Sequence, residues 1–191
     1  MPDKELCCFA IIPDVENYAM LQETPLELVL GQLEPMDLHG KPIADKWQSI
    51  KVSWLTVPGE RPLLTPDIAA FNATAFAAKT TVCEQLGLHQ QESCELLPIS
   101  VDGEAWSIIH VLTELDAVDE QQSERKIRRG GQFGRGFSKL VLKLNAVSDT
   151  SLFRVKGAGL RVFTTSAANG FYQAVQTADL KGLIFKPVAT T

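Results

Sequence analysis

The sequence has few residues of the kinds that build metal and redox sites, with three histidines and four cysteines among 191 residues. The histidines, His39, His89 and His110, lie far apart, and none belongs to a pair that would place two ligands on one helix face. The cysteines at positions 7, 8, 83 and 94 form no Cys-x-x-Cys pair, which favours buried free thiols. We therefore expect no metal ion and no cofactor, and we interpret His110 as a hydrogen-bonded core or edge residue.

Long apolar runs are also lacking, and none approaches the ~20 residues that span a bilayer. The run from Leu6 to Ile12 is short, follows charged residues and stops at Pro13 without a small-residue cleavage site. We expect no signal peptide and no membrane segment. A reducing cytoplasm is the compartment that these absences favour.

The known catalytic signatures are missing as well. The sequence contains no Gly-x-Ser-x-Gly elbow, and no cysteine lies in a Cys/His nucleophile signature. The glycines at 130, 131, 134 and 136 match neither the Walker loop nor the dinucleotide fingerprint. We therefore expect a protein without enzymatic activity.

What the chain does contain is typical of a folded domain, with 45% hydrophobic and 21% charged residues. The formal net charge of −5 argues against wholesale nucleic-acid binding, because a duplex-binding face usually carries a cationic surplus. The length predicts one domain with two lobes. We expect a strand-rich N-terminal lobe at 1–60, packed on a main α+β lobe at 61–191, with the boundary in the Pro- and Gly-containing segment 58–62.

The first half of the chain predicts three strands and one long helix. Apolar runs or alternation indicate strands at 6–12, 26–30 and 50–54. One apolar face indicates a helix from Thr65 to Leu86, ended by Gly87.

The second half is dominated by predicted strands. The Asp102-Gly103 dipeptide between two apolar runs is a strong hairpin signal. A short helix carrying Phe171 and Val175 is predicted after a cap at Ser166. The predicted fold class is thus α+β, with a mixed, mainly antiparallel sheet, one long helix and a few short helices, the later strands being expected at 95–101, 104–112, 139–147, 152–156, 160–163 and 183–188.

An acidic run without an intervening cation contains Glu114, Asp116, Asp119, Glu120 and Glu124. Paired carboxylates can perform acid/base catalysis or bind a hard cation, but only where several oxygens converge in space. We favour a solvated face over a catalytic site. An enzyme using this run would lose turnover on replacement of Asp116 or Asp119 by asparagine.

A basic, glycine-rich segment follows at 125–137, and its arginines and phenylalanines alternate with glycine. Such a composition can contact phosphates and stack on bases, which leaves RNA or nucleotide binding open as an alternative function. A flexible linker is the default interpretation. Binding through phosphates would weaken steeply as salt rises, whereas binding to a protein would survive without nucleic acid.

Several segments are informative because of their order along the chain. They are Pro66-Asp67-Ile68, Glu95-Leu96-Leu97-Pro98-Ile99 with Asp102-Gly103, Leu115-Asp116-Ala117-Val118-Asp119 with Ser123, Phe153-Arg154-Val155, and the ending from Gly182 to Pro187. Together, over about residues 60 to 190, they resemble a bacterial family of immunity proteins that neutralise polymorphic toxins.

This resemblance implies a cytoplasmic antidote that binds a cognate protein toxin delivered by secretion or contact, type VI secretion effectors included. It supplies no catalytic residues, because inhibition by binding requires none. A complementary surface with a buried anchor and a polar rim is sufficient. For their polarity and expected exposure, we predict the partner-binding residues to be Asp116, Asp119, Glu120, Arg125, Arg128, Arg129 and Phe133.

Overall fold

A computed structural model describes residues 6–31, 38, 40–59, 61–71, 75–127 and 133–191, except for the side chains of Phe133 and Arg135. Two large sheets form the body of this described part. One is a closed barrel of six strands, and the other is an open sheet of six strands.

The barrel encloses the first hydrophobic core. Its strands are β2 (Leu21–Glu23), β3 (Ile50–Trp54), β4 (Ile68–Phe71), β5 (Ala75–Lys79), β6 (Cys94–Val101) and β7 (Glu104–Val111). They are arranged in the order β2-β3-β6-β7-β5-β4, with parallel pairing of β2 with β4 and of β3 with β6. Alternate residues point inward and bury, among others, Phe71, Leu97, Trp106 and Ile108.

The hairpin of β6 and β7 confirms the strongest local prediction. Asp102 and Gly103 both adopt positive φ, at 50° and 86°, which is the conformation that a two-residue type I′ turn requires. The register pairs Val101 with Glu104 and continues without a shift to Cys94 and Val111.

The open sheet unites the two ends of the described chain. β1 (Cys8–Pro13) pairs antiparallel with both β13 and β14, so an early strand lies beside two late ones. Strands from the first sixty residues therefore lie in both sheets, and the division into lobes at 1–60 and 61–191 stays a prediction. The sheet order is β11-β14-β1-β13-β12-β8, with β8 (Glu114–Leu115), β11 (Val141–Leu142), β12 (Phe153–Val155), β13 (Val162–Thr165) and β14 (Leu183–Thr190).

Both faces of the open sheet are covered. On one face lies a second core, where Ile11, Leu152 and Val162 pack with barrel residues such as Phe76 and Ile109. On the other face, a third core contains the stacked rings of Phe153 and Phe163. Because β1 contributes to a core on each face, its sequence is almost continuously apolar.

The predicted long helix is wrong. The described residues within 65–86 instead include β4, β5 and the short helix α2 (Thr80–Gln85). The alanine-rich sequence favours a helix by propensity, but every residue of β4 is buried, because one face lines the barrel and the other packs on the open sheet. Tertiary packing therefore overrides local preference.

The predicted strand at 26–30 is also wrong, since this segment is the helix α1 (Pro25–Leu30). The Thr24 side chain caps the helix by accepting from the Glu27 amide, Pro25 occupies the first turn, and Gly31 ends the helix with φ 61°. Glu27 faces inward, where Oε1 accepts a hydrogen bond from the Lys51 amide at 3.0 Å. The alternation of leucines at positions 26, 28 and 30 therefore does not indicate a strand.

Two smaller predictions also need correction. The strand expected at 139–147 shrinks to β11, which a single 3-10 turn at Leu144–Ala146 follows. Ser166 does not cap the next helix, α3 (Phe171–Thr177), whose N-cap is Gly170. The Ser166 hydroxyl instead accepts from the Cys7 amide at 2.9 Å, which fixes the start of β1. The chain is thus mostly β with short helices.

Candidate partner-binding surface

The basic segment forms a hairpin in its described part, so the linker interpretation of residues 125–137 is wrong there. β9 (Glu124–Ile127) and β10 (Phe133–Lys139) pair antiparallel as a separate two-stranded sheet. All four residues of β9 are exposed, and Ile127 is 70% exposed. The register shifts between Phe133 and Phe137, where Gly136 adopts φ 83°. This hairpin displays charged and apolar side chains to solvent.

Phe137 fastens the hairpin to the body of the protein. Its ring is buried in the third core, and the Arg125 guanidinium lies 5.0 Å from the ring centroid. Arg125 also donates to Glu120 at 2.9 Å, which brings two of the predicted site residues together. Both side chains are largely exposed, so this ion pair contributes only about 0.2–1 kcal/mol.

Asp119 organises the acidic segment rather than projecting from it. One carboxylate oxygen, Oδ1, accepts from the amides of Gln121 and Gln122 at 3.0 and 3.1 Å. The other oxygen accepts from the Thr191 hydroxyl at 3.1 Å. Partial desolvation acts to raise the pKa of Asp119, but the hydrogen bonds from Gln122, Thr191 and Gln121 outweigh it and hold the pKa below its ordinary value. Asp119 therefore closes a turn and fixes Thr191.

Ser123 completes the same structural unit. Its hydroxyl accepts from the Val141 amide at 3.0 Å and donates to the Val141 carbonyl at 3.1 Å. Ala117 and Val118, just before Asp119, are buried in the third core. The segment from Leu115 to Ser123, which carries part of the family resemblance, thus has a structural role. It forms a turn and contains no helix.

The predicted site residues therefore have different roles. Asp116 and Glu120 are exposed, and Arg125 is 41% exposed at its side chain. Arg128 and Arg129 lie outside the described residues, as does the side chain of Phe133, whose backbone belongs to β10. Within the described ranges, no group of three or more histidine, cysteine, aspartate and glutamate residues is placed to hold a metal ion.

A buried polar network that sequence reasoning missed joins Glu95 to His110. The two side chains face each other across β6 and β7, with His110 Nδ1 2.8 Å from Glu95 Oε1. The Gly40 amide donates to His110 Nε2 at 3.0 Å, so Nε2 is the acceptor and Nδ1 carries the proton. The prediction that His110 is a hydrogen-bonded core residue is confirmed.

Glu95 also holds the loop that precedes β3. Its two carboxylate oxygens accept from the amides of Ile43 and Ala44 at 2.8 and 3.2 Å. The Arg154 guanidinium fills the space where a side chain at position 40 would lie, which explains the glycine there. The hairpin register could have revealed the Glu95–His110 pair, but the loop partners lie about fifty residues away, and nothing in the local sequence indicates them.

Three of the four cysteines are buried thiols, and none of the four is in a disulfide. Burial raises the pKa of Cys8 and Cys83 to about 12 and that of Cys94 to about 11. The prediction of buried thiols is wrong for Cys7, which is exposed because neighbouring residues of an extended segment point to opposite sides.

None of the helices in the described ranges has the length and apolar character needed to cross a membrane.

A comparison with curated proteins gives no match. The finding that bears on function comes from a family model.

Part of the chain matches a family model described as an immunity protein family, Imm11. The match covers residues 99–190, so it begins later than the span of 60 to 190 over which the resemblance was expected. Proteins of such families are typically non-catalytic inhibitors of a cognate toxin. The resemblance is therefore confirmed over residues 99–190, which match the immunity protein family Imm11, a polymorphic-toxin immunity family.

Proposed function

We propose that this protein binds and neutralises a cognate antibacterial toxin without catalysis, and that it acts in the cytoplasm against a toxin delivered by secretion or contact, for example by a type VI system. The observation that carries this proposal is the immunity-family match over residues 99–190. The matched part contains most of the open sheet, which supplies a rigid scaffold for a binding surface.

The chemistry of the polar side chains supports a binding role. Both oxygens of Asp119 accept hydrogen bonds that shape the fold, and both ring nitrogens of His110 are engaged. Catalytic carboxylates and imidazoles must reach a reacting group, whereas these side chains hold a turn and a loop. Inhibition by binding places no such demand on them.

The surface that we propose for the toxin comprises the hairpin of β9 and β10 and the exposed part of the acidic turn. Its candidate contacts are Asp116, Glu120, Arg125 and Phe133, together with Arg128 and Arg129, which lie outside the described residues. Four successive exposed residues in β9, including Ile127, support this choice, because a mixed apolar and charged surface fits a protein partner. Asp119 supports this surface through the hydrogen bonds that close the acidic turn.

The test is a titration of this protein with the catalytically inactivated toxin encoded beside it, read by calorimetry and co-purification. Reversal of charge in Arg125→Glu should weaken binding about tenfold or more, because the proposed surface places this 41% exposed side chain against the partner. The matched control is Lys79→Glu, since Lys79 forms an equally exposed ion pair with Glu104 at 2.8 Å on the barrel. Equal affinity of all three proteins would refute the proposed surface, and absence of binding by the unmodified protein would refute the function.

RNA or nucleotide binding by residues 125–137 is the alternative from another class. One described contact disfavours it, because the Phe137 ring is buried in the third core. This ring is therefore not open for stacking on bases. A labelled single-stranded RNA should show no salt-sensitive binding, and a steep loss of measured affinity with rising salt would favour the alternative.

A further inference from the structure

An apolar cleft lies outside the surface proposed above, where β1 and the segment after it face the barrel. Two adjoining pockets, of about 450 and 490 Å³, form this cleft and share Val15 and Met20 in their walls. One wall continues into Leu55 and Leu63, and the other into Phe76 and Leu160.

The rim of the cleft is itself apolar and open to solvent. Val15, Leu55, Val57 and Leu63 line it, and each remains 42–48% exposed. The neighbouring Leu64 is 64% exposed. A small molecule inside the pockets would leave these rim side chains in water, whereas a protein segment would cover them. Clustered exposed aliphatic residues of this kind mark protein interaction sites.

Charge indicates the character of the occupant. Among the lining residues that the structure describes, the charged ones are Arg61 and Arg161. Neither arginine forms an ion pair within the described part of the chain, although Arg161 Nε donates to the Ala158 carbonyl at 3.3 Å. The whole protein carries a net charge of −5, so these two arginines make the edge of the cleft locally positive on an acidic protein. Carboxylates on the partner would complement it.

The cleft is continuous with the proposed toxin surface. Leu160 and Arg161 belong to the turn between β12 and β13, and Gly157 lies in the same turn. Arg125 Nη1 lies 4.0 Å from the position that a Cβ of Gly157 would occupy. Gly157 and Leu160 are three residues apart, so their Cα atoms are separated by at most about 11 Å. A standard interface of about 800 Å² per partner is large enough to cover the hairpin and the cleft together.

We propose that the cleft receives an apolar segment of the toxin flanked by aspartate or glutamate residues, which supplies the buried anchor of an interface whose charged rim is the β9–β10 hairpin. This inference rests on the proposed function. The aliphatic rim provides the desolvated centre that dominates binding energy, and the two arginines select the acidic flanks.

The test uses the full protein and the inactivated toxin encoded beside it, with affinities measured by calorimetry. Leu55→Glu and Leu63→Glu should each weaken binding about tenfold or more, because each places a charge in the desolvated centre. The matched control is Leu28→Glu on α1, since Leu28 is a leucine at 61% exposure away from the cleft, and it should bind within about twofold of the unmodified protein.

Charge reversal in Arg161→Glu tests the acidic flanks separately. It should also weaken binding, and the loss should be larger at low salt, because the attraction is screened as ionic strength rises. Hydrogen exchange provides an independent readout. Complex formation should slow exchange of the amides at 55–57 and 61–65, except at Pro62, and leave those of α1 unchanged.

The outcomes separate this inference from the function beneath it. Tight binding by the unmodified protein together with equal affinity of the Leu55→Glu and Leu63→Glu variants overturns the cleft but preserves the proposed function. Failure of the unmodified protein to bind the toxin overturns both. A dimer that Leu63→Glu dissociates, with toxin affinity unchanged, would assign the cleft to a second copy of this chain and overturn the proposal.

Discussion

Replacement of Glu95 by alanine should destabilise the protein more than its partly exposed position suggests. The side chain is 13% exposed, and its two oxygens together serve His110 Nδ1 and the amides of Ile43 and Ala44. Alanine removes the acceptors of all three hydrogen bonds at once. The buried imidazole then keeps an N–H group without its partner, because the His110 side chain is 1% exposed.

The magnitude follows from these contacts. Leaving a buried donor unsatisfied costs about 1–3 kcal/mol, and each of the two backbone hydrogen bonds to a carboxylate contributes a further amount that water partly replaces. We expect a loss of about 3 kcal/mol in the free energy of unfolding. For a chain of 191 residues, each kcal/mol lowers Tm by about 2–4 °C, so Tm should fall by about 6–12 °C.

Urea unfolding followed by circular dichroism measures this loss. The matched control is Glu92→Ala, since Glu92 is an exposed glutamate just before β6, and its loss should change stability by no more than about 0.5 kcal/mol. Glu95→Gln should fall between the two, because an amide oxygen can replace part of the acceptor set. Stability of Glu95→Ala equal to that of Glu92→Ala would refute the reasoning.

Three further predictions concern a glycine, a carboxylate and a thiol. Gly182→Ala should lower the free energy of unfolding in urea by at least about 3 kcal/mol, because φ is 112° and the added Cβ would overlap the Ile68 carbonyl. Gly59→Ala is the control and should lower it clearly less, since Gly59 has φ 87° but open space around it. The folded-state pKa of Asp119 lies below its unfolded value of 3.8, so its stabilisation is complete above about that pH and is lost as pH falls through the lower folded pKa. Urea midpoints measured at falling pH should therefore drop less for Asp119→Asn than for the unmodified protein, and parallel curves would contradict this. Cys7 should react quickly with a thiol reagent in the native state and the other three cysteines only after unfolding, as counted by mass spectrometry; rapid labelling of all four in the native state would contradict their burial.

Some elements could be predicted from the sequence because their signals are local. The Asp102-Gly103 turn selects its own hairpin, and the flanking apolar runs fix its register. The strand at 50–54 was confirmed for the same reason, since its apolar residues alternate with polar ones. Where one short window of sequence contains the determinant, sequence reasoning succeeds.

Other elements depend on packing partners far along the chain. β4 and β5 are buried on both faces, so they show no polar alternation, and their alanines imitate a helix. In α1 the carboxylate of Glu27 faces inward while Leu26, Leu28, Val29 and Leu30 are exposed, which reverses the usual helical pattern. Neither arrangement can be inferred without the neighbouring strands.

The candidate surface was predicted only in part, for a similar reason. Composition identified a polar region at 116–133, and Glu120 and Arg125 do meet there. It could not show that Asp119 and Ser123 are engaged in holding turns, because their partners Thr191 and Val141 are brought near only by the fold. The cleft around Val15 and Met20 likewise combines segments from both halves of the chain.

The central claim is that this chain neutralises a toxin by binding it. The most direct measurement is survival of bacteria that express the toxin encoded beside it, with and without this protein, at matched toxin levels. We expect survival to be restored and the two proteins to co-purify from the surviving cells. Unchanged killing by that toxin, with this protein folded and abundant in the same cells, would contradict the account.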